Sequence, residues 1–447
     1  MPETGSTTRR RHRTVSWVVA LSTIVLIFDG YDLVVYGTVL PTLLKDPSQL
    51  GAITPGQAGT LGSYALVGVL VGALAAGAFG DLIGRRRIML INLVWFSIGM
   101  GATALTQSVA AFGIGRFFTG IGVGALVATV GPLVAEFAEP GRRNRLNAVV
   151  YSGVPAGGVL AALLALVLDD VAGWRGLFWI GALPIVLVLP LAWVKLPESP
   201  KWLASRGKTE QAAALAERTG IALPTAPAAP EGTARAGFPA LASKELAWPT
   251  ALLGLMGFAG LLLTYGLNTW LPQIMANNGY DKSYSLAFLL VLNLGAIVGG
   301  LAASLWADRA GAKRVVATTF VLAAVTLALL PLKLPLFVLM LAVAVAGIGT
   351  IGTQVLIYGM VSNYYPTRAR AAGVAWCAGF GRIGGIVGPV VGGVLVGAGL
   401  GGTTAFYLFA AIAAGAAAVT LLVPRSHEET AQDAPVAATA AAAPRAV

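Results

Sequence analysis

The chain has 447 residues, of which 57% are hydrophobic and only 11% charged, with a mean hydropathy of +0.79. Water-soluble domains carry about 25% charged residues, so a soluble enzyme or binding module is excluded and an integral membrane protein is implied. The net charge of +11 would suit nucleic acid, but its distribution follows membrane topology, so no nucleic-acid partner is expected.

In chain order, "MPETGSTTRRRHRTVSW" is basic and runs into an apolar stretch without a small-residue cleavage site, which reads as a retained first span. Stretches long enough to cross a bilayer fall at 17–40, 57–80, 87–107, 110–135, 146–168, 174–194, 248–273, 284–307, 314–331, 335–362, 371–397 and 401–424. These twelve predicted helices put both tails on one side. Lys45, Arg175, Lys282 and Lys333 lie in the loops of one face, and Arg116 and Arg382 inside spans; the rest of the 30 Lys and Arg residues occupy the tails and the loops of the other face. By the positive-inside rule that basic face is cytoplasmic, as expected of a multi-pass plasma-membrane protein.

The expected organisation is a cytoplasmic tail (1–16), a six-helix half (17–194), a cytoplasmic linker (195–247), a second six-helix half (248–424) and a disordered tail (425–447). The linker opens with "LPESPKWLASRGKTEQAAALAERTG", whose charge and Ala spacing predicts a surface helix. It continues as Pro/Ala-rich "IALPTAPAAPEGTARAGFPA". Around the linker the chain repeats: "GDLIGRRRIML" matches "ADRAGAKRVVA", and Gly120 and Gly122 match Gly347 and Gly349 at the same offset. Parallel repeats of this kind predict two halves that rock about a site near the bilayer midplane. A channel or receptor would not require the duplication.

The charges inside spans carry the functional signal. Asp29 and Asp32 lie one helical turn apart, on one predicted face with Tyr36, where each ionised carboxylate costs about 2.5–3.5 kcal/mol on insertion scales. Either they bind and release protons, or one or both pair with Arg116 as a fixed strut. The equivalent positions of the second half are apolar, which favours function. Arg382 in "GFGRIGGIVGPVVGG" requires an anion, an Asp or a ligand, and its planar fork suits a carboxylate. Asn268, Asn293, Gln354 and Tyr358 are further polar residues within spans, and Tyr31, Tyr265, Trp270, Trp376 and Phe380 are aromatic candidates for ring contacts. Glu136, Arg145 and Glu198 sit at cytoplasmic helix ends, as a latch on the outward-open state or as topogenic charge alone. The single Cys377 excludes an internal disulfide. No nucleophile constellation, metal cluster or nucleotide loop is recognisable, so neither enzyme activity nor a cofactor nor a metal is expected.

Four segments together resemble the aromatic acid:proton symporter family of the major facilitator superfamily. They are "DGYD" (29–32); "GAFGDLIGRRR", which fits GxxxD(R/K)xGRR with Leu82 in place of the basic residue; "NTWLPQIMANNGYDKS" with the loop "SLWADRAGAKR", where Ser304 replaces Gly; and "YYPTRARAAGVAWCAGFGRIGGIVGP" on helix eleven. The resemblance implies an all-α fold of twelve spans in two pseudo-symmetric halves. It also implies proton-driven uptake of a benzoate-, hydroxybenzoate-, gentisate- or protocatechuate-like anion, and the carrier is expected to be monomeric. It gives Asp29 and Asp32 a coupling role, and gives gating to Gly77, Asp81, Gly84, Arg85, Asp308 and Arg309, with Arg370 at the foot of helix eleven. The alternatives are a proton-coupled exporter, counted against because its GxxxGPxxGG run falls on helix eleven rather than five, and a symporter of sugars or aliphatic acids, since "PESPKWL" also occurs in sugar-porter-like chains.

Overall fold

Inside a bilayer every backbone N–H and C=O must find a partner within the protein, and this chain meets that demand with helices; among the described residues there is no strand. The computed structural model describes residues 5–139, 142–221, 237–332, 334–399 and 401–424. Span one is Gly5–Lys45, span two Pro55–Ile83, span three Arg85–Ala104 and span four Val109–Phe137. Nothing between residues 5 and 16 breaks a helix, so part of the expected basic tail is the first turns of span one.

Spans five and six depart from expectation. Instead of a loop between two helices there is one apolar run, Arg145–Lys195, 51 residues long. At 1.5 Å per residue that is about 76 Å of helix, more than twice the roughly 30 Å of hydrocarbon, so it crosses twice. The reversal is a single break at Gly173 (φ 61°, ψ −178°). Among the described residues, the eleven apolar runs long enough to cross a membrane thereby make twelve crossings. The predicted surface helix of the linker is two shorter ones, Pro200–Ser205 and Thr209–Thr219, separated at Gly207 (φ 71°). Residues 222–236 of the linker and the tail from 425 onward lie outside the described residues.

The second half contains span seven (Ala247–Asn277), eight (Lys282–Ala310), nine (Ala312–Leu329), eleven (Thr367–Gly397) and twelve (Gly401–Leu422). Span ten, expected as a plain helix, is Leu336–Gly347 and Thr353–Tyr364 joined by a π-helical turn, Ile348–Gly352. Such turns recur at functional sites because they rotate the residues that follow.

The sequence repeat is a structural one. Gly84 and Gly311 occupy the same repeat position, both with left-handed backbone (φ 102° and 88°), and each starts the next helix. Without a hydrophobic drive between helices in lipid, close backbone approach supplies the packing. Gly68 and Gly120 face the carbonyls of Phe117 and Ala65 across spans two and four; Gly295 and Gly347 face those of Ala344 and Leu292 across spans eight and ten. The two sets are equivalent positions.

Between the halves, contact is concentrated away from the basic loops. Gly59 of span two rests on the Pro389 carbonyl of span eleven, and the Ser63 hydroxyl donates to the Ile386 carbonyl at 2.5 Å. Gly37 of span one rests on the Asn268 backbone of span seven, and Gly158 of span five makes room for Asn293 of span eight. Among the described residues, spans four and five make no comparable contact with spans ten and eleven. The interior is closed on the far side and open toward the basic loops.

A methyl-bearing side chain at Gly120 or Gly347 lands on a carbonyl, so Gly120→Val and Gly347→Val should each abolish a monodisperse peak in fluorescence-detected gel filtration of the extracted protein. Gly415→Val, at a glycine with open space around it, should leave the peak intact; equal behaviour of all three would refute the packing account.

Candidate functional site

Asp29 and Asp32 do not act on one partner. One turn of span one separates them, and the helix rotation between i and i+3 sends them to different neighbours. Asp32 turns into the first half, where its Oδ1 accepts from Arg116 Nη1 of span four. The guanidinium also donates to the Asp32 main-chain carbonyl at 3.3 Å, and the rings of Tyr36 and Phe178 flank it at 5.5 and 5.9 Å. Both side chains of the pair are buried. Arg116, expected among the substrate ligands, is packed here as the counter-ion of Asp32, which is the contact the strut alternative describes.

Asp29 faces the other way. The charge acting most strongly on it is Arg382 of span eleven, ahead of Asp32, and its Oδ1 is buried without a hydrogen-bond partner. Arg382 is itself partly accessible. It shares its electrostatic surroundings with Asp29 and Tyr151 of the first half and with Tyr265 and Tyr358 of the second. Groups from both halves can gather round one side chain only in the space between the halves. Tyr265 and the guanidinium act on each other electrostatically. One turn before Tyr358 and just past the π-helical turn, Gln354 has both amide atoms buried without a hydrogen-bond partner.

An aromatic wall continues from this point toward the basic face. Trp376 and Phe380 stack at 5.3 Å with planes 14° apart, and Phe258 leans on Phe380 at 5.7 Å. Trp376 is anchored through its Nε1, which donates to the Thr250 carbonyl at 3.0 Å. The site thus offers one cation, one carboxylate, three phenol hydroxyls and flat apolar faces, reached from the basic side.

Other expected ligands are placed elsewhere. Tyr31 donates to the Leu177 carbonyl (2.7 Å) and Trp270 to the Pro389 carbonyl (2.7 Å), both fully buried between helices. Asn293 donates to Asn268 at 2.9 Å and each amide also donates to its own helix, tying span eight to span seven. Tyr151 was not singled out in the sequence; a tyrosine in "NAVVYSGVP" carries a weak signal, visible only as a hydroxyl on an otherwise apolar span.

The geometry can be set beside known proteins. The Major Facilitator Superfamily profile matches residues 22–303 and 287–446. The chain belongs to the major facilitator superfamily. Within the superfamily it is 33% identical to the benzoate transport protein of Acinetobacter baylyi, over 85% of this chain and 83% of that one. It is also 33% identical to the gentisate transporter of Corynebacterium glutamicum (91% and 87% covered) and 32% identical to the gallate transporter of Pseudomonas putida (91% and 90%). These relatives place it in the aromatic acid family of the superfamily, a transporter rather than an enzyme. The xylose transporter XylE from E. coli, in a partially occluded inward open conformation, shares the fold with a TM-score of 0.74 at 18% identity, covering 93% of this chain and 98% of that one.

The residues expected to gate fall in both halves, and the contacts they make stay within their own half. Glu198 Oε1 accepts from the backbone N–H groups of Arg86 and Ser199, each at 3.0 Å. It places a carboxylate on the N-terminus of span three, where the helix dipole favours one, beside Gly84, which leaves room for it. Arg85 and Glu136 are 3.7 Å apart. Arg145, Asp308 and Arg309 are exposed, Gly77 has open space around it, and Arg370 Nε donates to the Tyr365 carbonyl at 3.3 Å. The Asp81 side chain lies outside the described residues. In this arrangement, open toward the basic loops, no ion pair among the described residues of this set crosses between halves.

The far face does carry a crossing pair, which the sequence reading missed. Lys282, at the start of span eight, bonds Asp169 and Asp170 of span five, each at 2.7 Å. The clue was its position as one of the few bases on that face.

Two outcomes follow. Asp32→Asn leaves a buried guanidinium unpaired at a cost of about 3–5 kcal/mol, so the extracted protein should melt well below wild type, whereas Asp29→Asn should melt close to it; equal melting would refute the division of labour. Lys282→Gln should raise alkylation of a Ser63→Cys variant by a membrane-impermeant maleimide from the far side a few-fold, as expected for a partly exposed pair worth up to about 1 kcal/mol. An unchanged rate would show that the clasp does not hold the halves.

Proposed function

We propose that this facilitator imports an aromatic monocarboxylate together with a proton, with Arg382 holding the carboxylate and Asp29 carrying the proton. The observation that carries the reading is that one guanidinium, Arg382, and one carboxylate, Asp29, act on each other electrostatically in the space between the halves. Empty, the two charges balance. A ligand carboxylate docking on Arg382 brings a second negative charge into the same low-dielectric space, and a proton on Asp29 restores neutrality. Repulsion between two carboxylates sharing one cation favours that proton. The neutral, filled cavity then occludes without carrying net charge through the membrane interior.

The substrate class rests on the ring faces of Phe258, Trp376 and Phe380 and on the relatives, since benzoate, gentisate and gallate share a benzene ring bearing one carboxylate. Tyr151, Tyr265, Tyr358 and Gln354 supply hydroxyl and amide groups around that ring. Asp32 with Arg116 holds span one in place, so that Asp29 stays aimed at Arg382. The basic loops and both tails lie in the cytoplasm of a cell whose plasma membrane holds the protein. The far-face clasp of Lys282 breaks when the carrier opens outward, and the Arg85–Glu136 pair and the Glu198 contact with the start of span three keep the first half rigid during that motion. One proton per monoanion makes the cycle electroneutral; a second proton would add about 2.3 kcal/mol per 100 mV of membrane potential.

Proteoliposome uptake of benzoate, hydroxybenzoates, gentisate and protocatechuate, beside a dicarboxylate and a sugar, tests the proposal. Ring acids should accumulate when the outside is acid and equilibrate without a pH gradient. Asp29→Asn should exchange ring acid for ring acid yet lose accumulation, and Arg382→Lys should weaken binding about tenfold or more by losing the bidentate fork. Accumulation by Asp29→Asn, or an unchanged affinity in Arg382→Lys, would overturn the assigned roles.

A further inference from the structure

We infer that the cavity between the foot of span three and the linker helices is a site for the phosphate headgroup of an anionic phospholipid. The cavity encloses about 360 Å³ and is lined by Arg86, Arg87, Lys208, Arg218 and Trp202, with Glu198 as its acid. That carboxylate is already engaged by two backbone N–H groups, while Glu210 and Glu217 of the same linker helix do not line the cavity. The lining is therefore an excess of cations around a small space.

One of those cations is incompletely satisfied. Arg86 Nη2 donates to the Trp193 carbonyl at 2.6 Å, and its guanidinium lies 5.7 Å from the Trp193 ring, yet its Nε is buried without a hydrogen-bond partner. A buried N–H left unpaired is unfavourable, and a phosphate oxygen is the acceptor that a guanidinium fork suits best.

Position selects lipid over a soluble anion. Trp193 is 64% exposed and Val194 72% exposed at the end of span six, an apolar outer surface ending in a tryptophan, as at a membrane–water interface. Arg86 links that surface to the cavity, so a headgroup enters at the depth where its acyl chains stay in the bilayer. Basic pockets at this level bind anionic headgroups, with about 1 kcal/mol per basic residue.

The test is native mass spectrometry of the full-length, delipidated protein titrated with phosphatidylglycerol or phosphatidylcholine. Wild type should retain phosphatidylglycerol about tenfold more strongly, Arg87→Gln with Arg218→Gln should lower that retention about tenfold or more, and Glu210→Gln should leave it unchanged. If the double variant melts below wild type, Lys208→Gln alone carries the test, with a loss of about fivefold. Equal retention of both lipids by wild type, or undiminished phosphatidylglycerol in the folded variants, would overturn the site. Displacement by glycerol 3-phosphate would assign the cavity to a soluble anion and overturn the lipid.

Discussion

A single guanidinium facing a single carboxylate, in a space that both halves enclose, is the constraint around which the protein is organised. In water such a pair is worth little, because both charges are well solvated. Between membrane helices the attraction between Arg382 and Asp29 is screened far less than in water, and the two groups act on each other directly. The proposed coupling is a direct consequence: a third charge cannot enter without a fourth. In the proposed cycle no conformational signal has to travel from Asp29 to Arg382, because the two share one electrostatic environment.

That economy depends on rigidity elsewhere. The pair Asp32–Arg116, enclosed by Tyr36 and Phe178, immobilises the segment of span one that carries Asp29. Backbone-to-backbone glycine contacts between spans two and four, and between eight and ten, make each half a stiff body. Movement is left to the interface between halves, where the far side is held by small-residue contacts and by Lys282 with two aspartates, while the basic side stands open. A clasp made of partly exposed charges suits the opening and closing proposed for this joint, since each such pair is worth up to about 1 kcal/mol.

Much of the scaffold could be read directly from the residues. Hydropathy and the segregation of Lys and Arg identify the spans, and the match between "GDLIGRRRIML" and "ADRAGAKRVVA" corresponds to two helix starts built on Gly84 and Gly311. The break at Gly173 and the π-helical turn at Ile348–Gly352 were not legible, because hydropathy is blind to backbone dihedrals. For the site, an aspartate or arginine within a span is conspicuous for its cost, so Asp29, Asp32, Arg116 and Arg382 stood out. Their partnering did not, since i and i+3 differ by a rotation that only the packing of span one against span four resolves. Aromatic residues carry the weakest signal of all: Trp270 and Trp376 look alike in sequence, yet one is sealed between helices and the other stacks on Phe380 beside the open space.

The central claim concerns charge, and proton counting on binding tests it most directly. Purified protein in a weakly buffered, mildly alkaline solution, with no membrane and no gradient, can be titrated with benzoate while a pH indicator records protons taken up per ligand bound. The account predicts about one proton per ligand, falling to none in Asp29→Asn with binding retained. Tight binding by the wild-type protein with no proton uptake would contradict it.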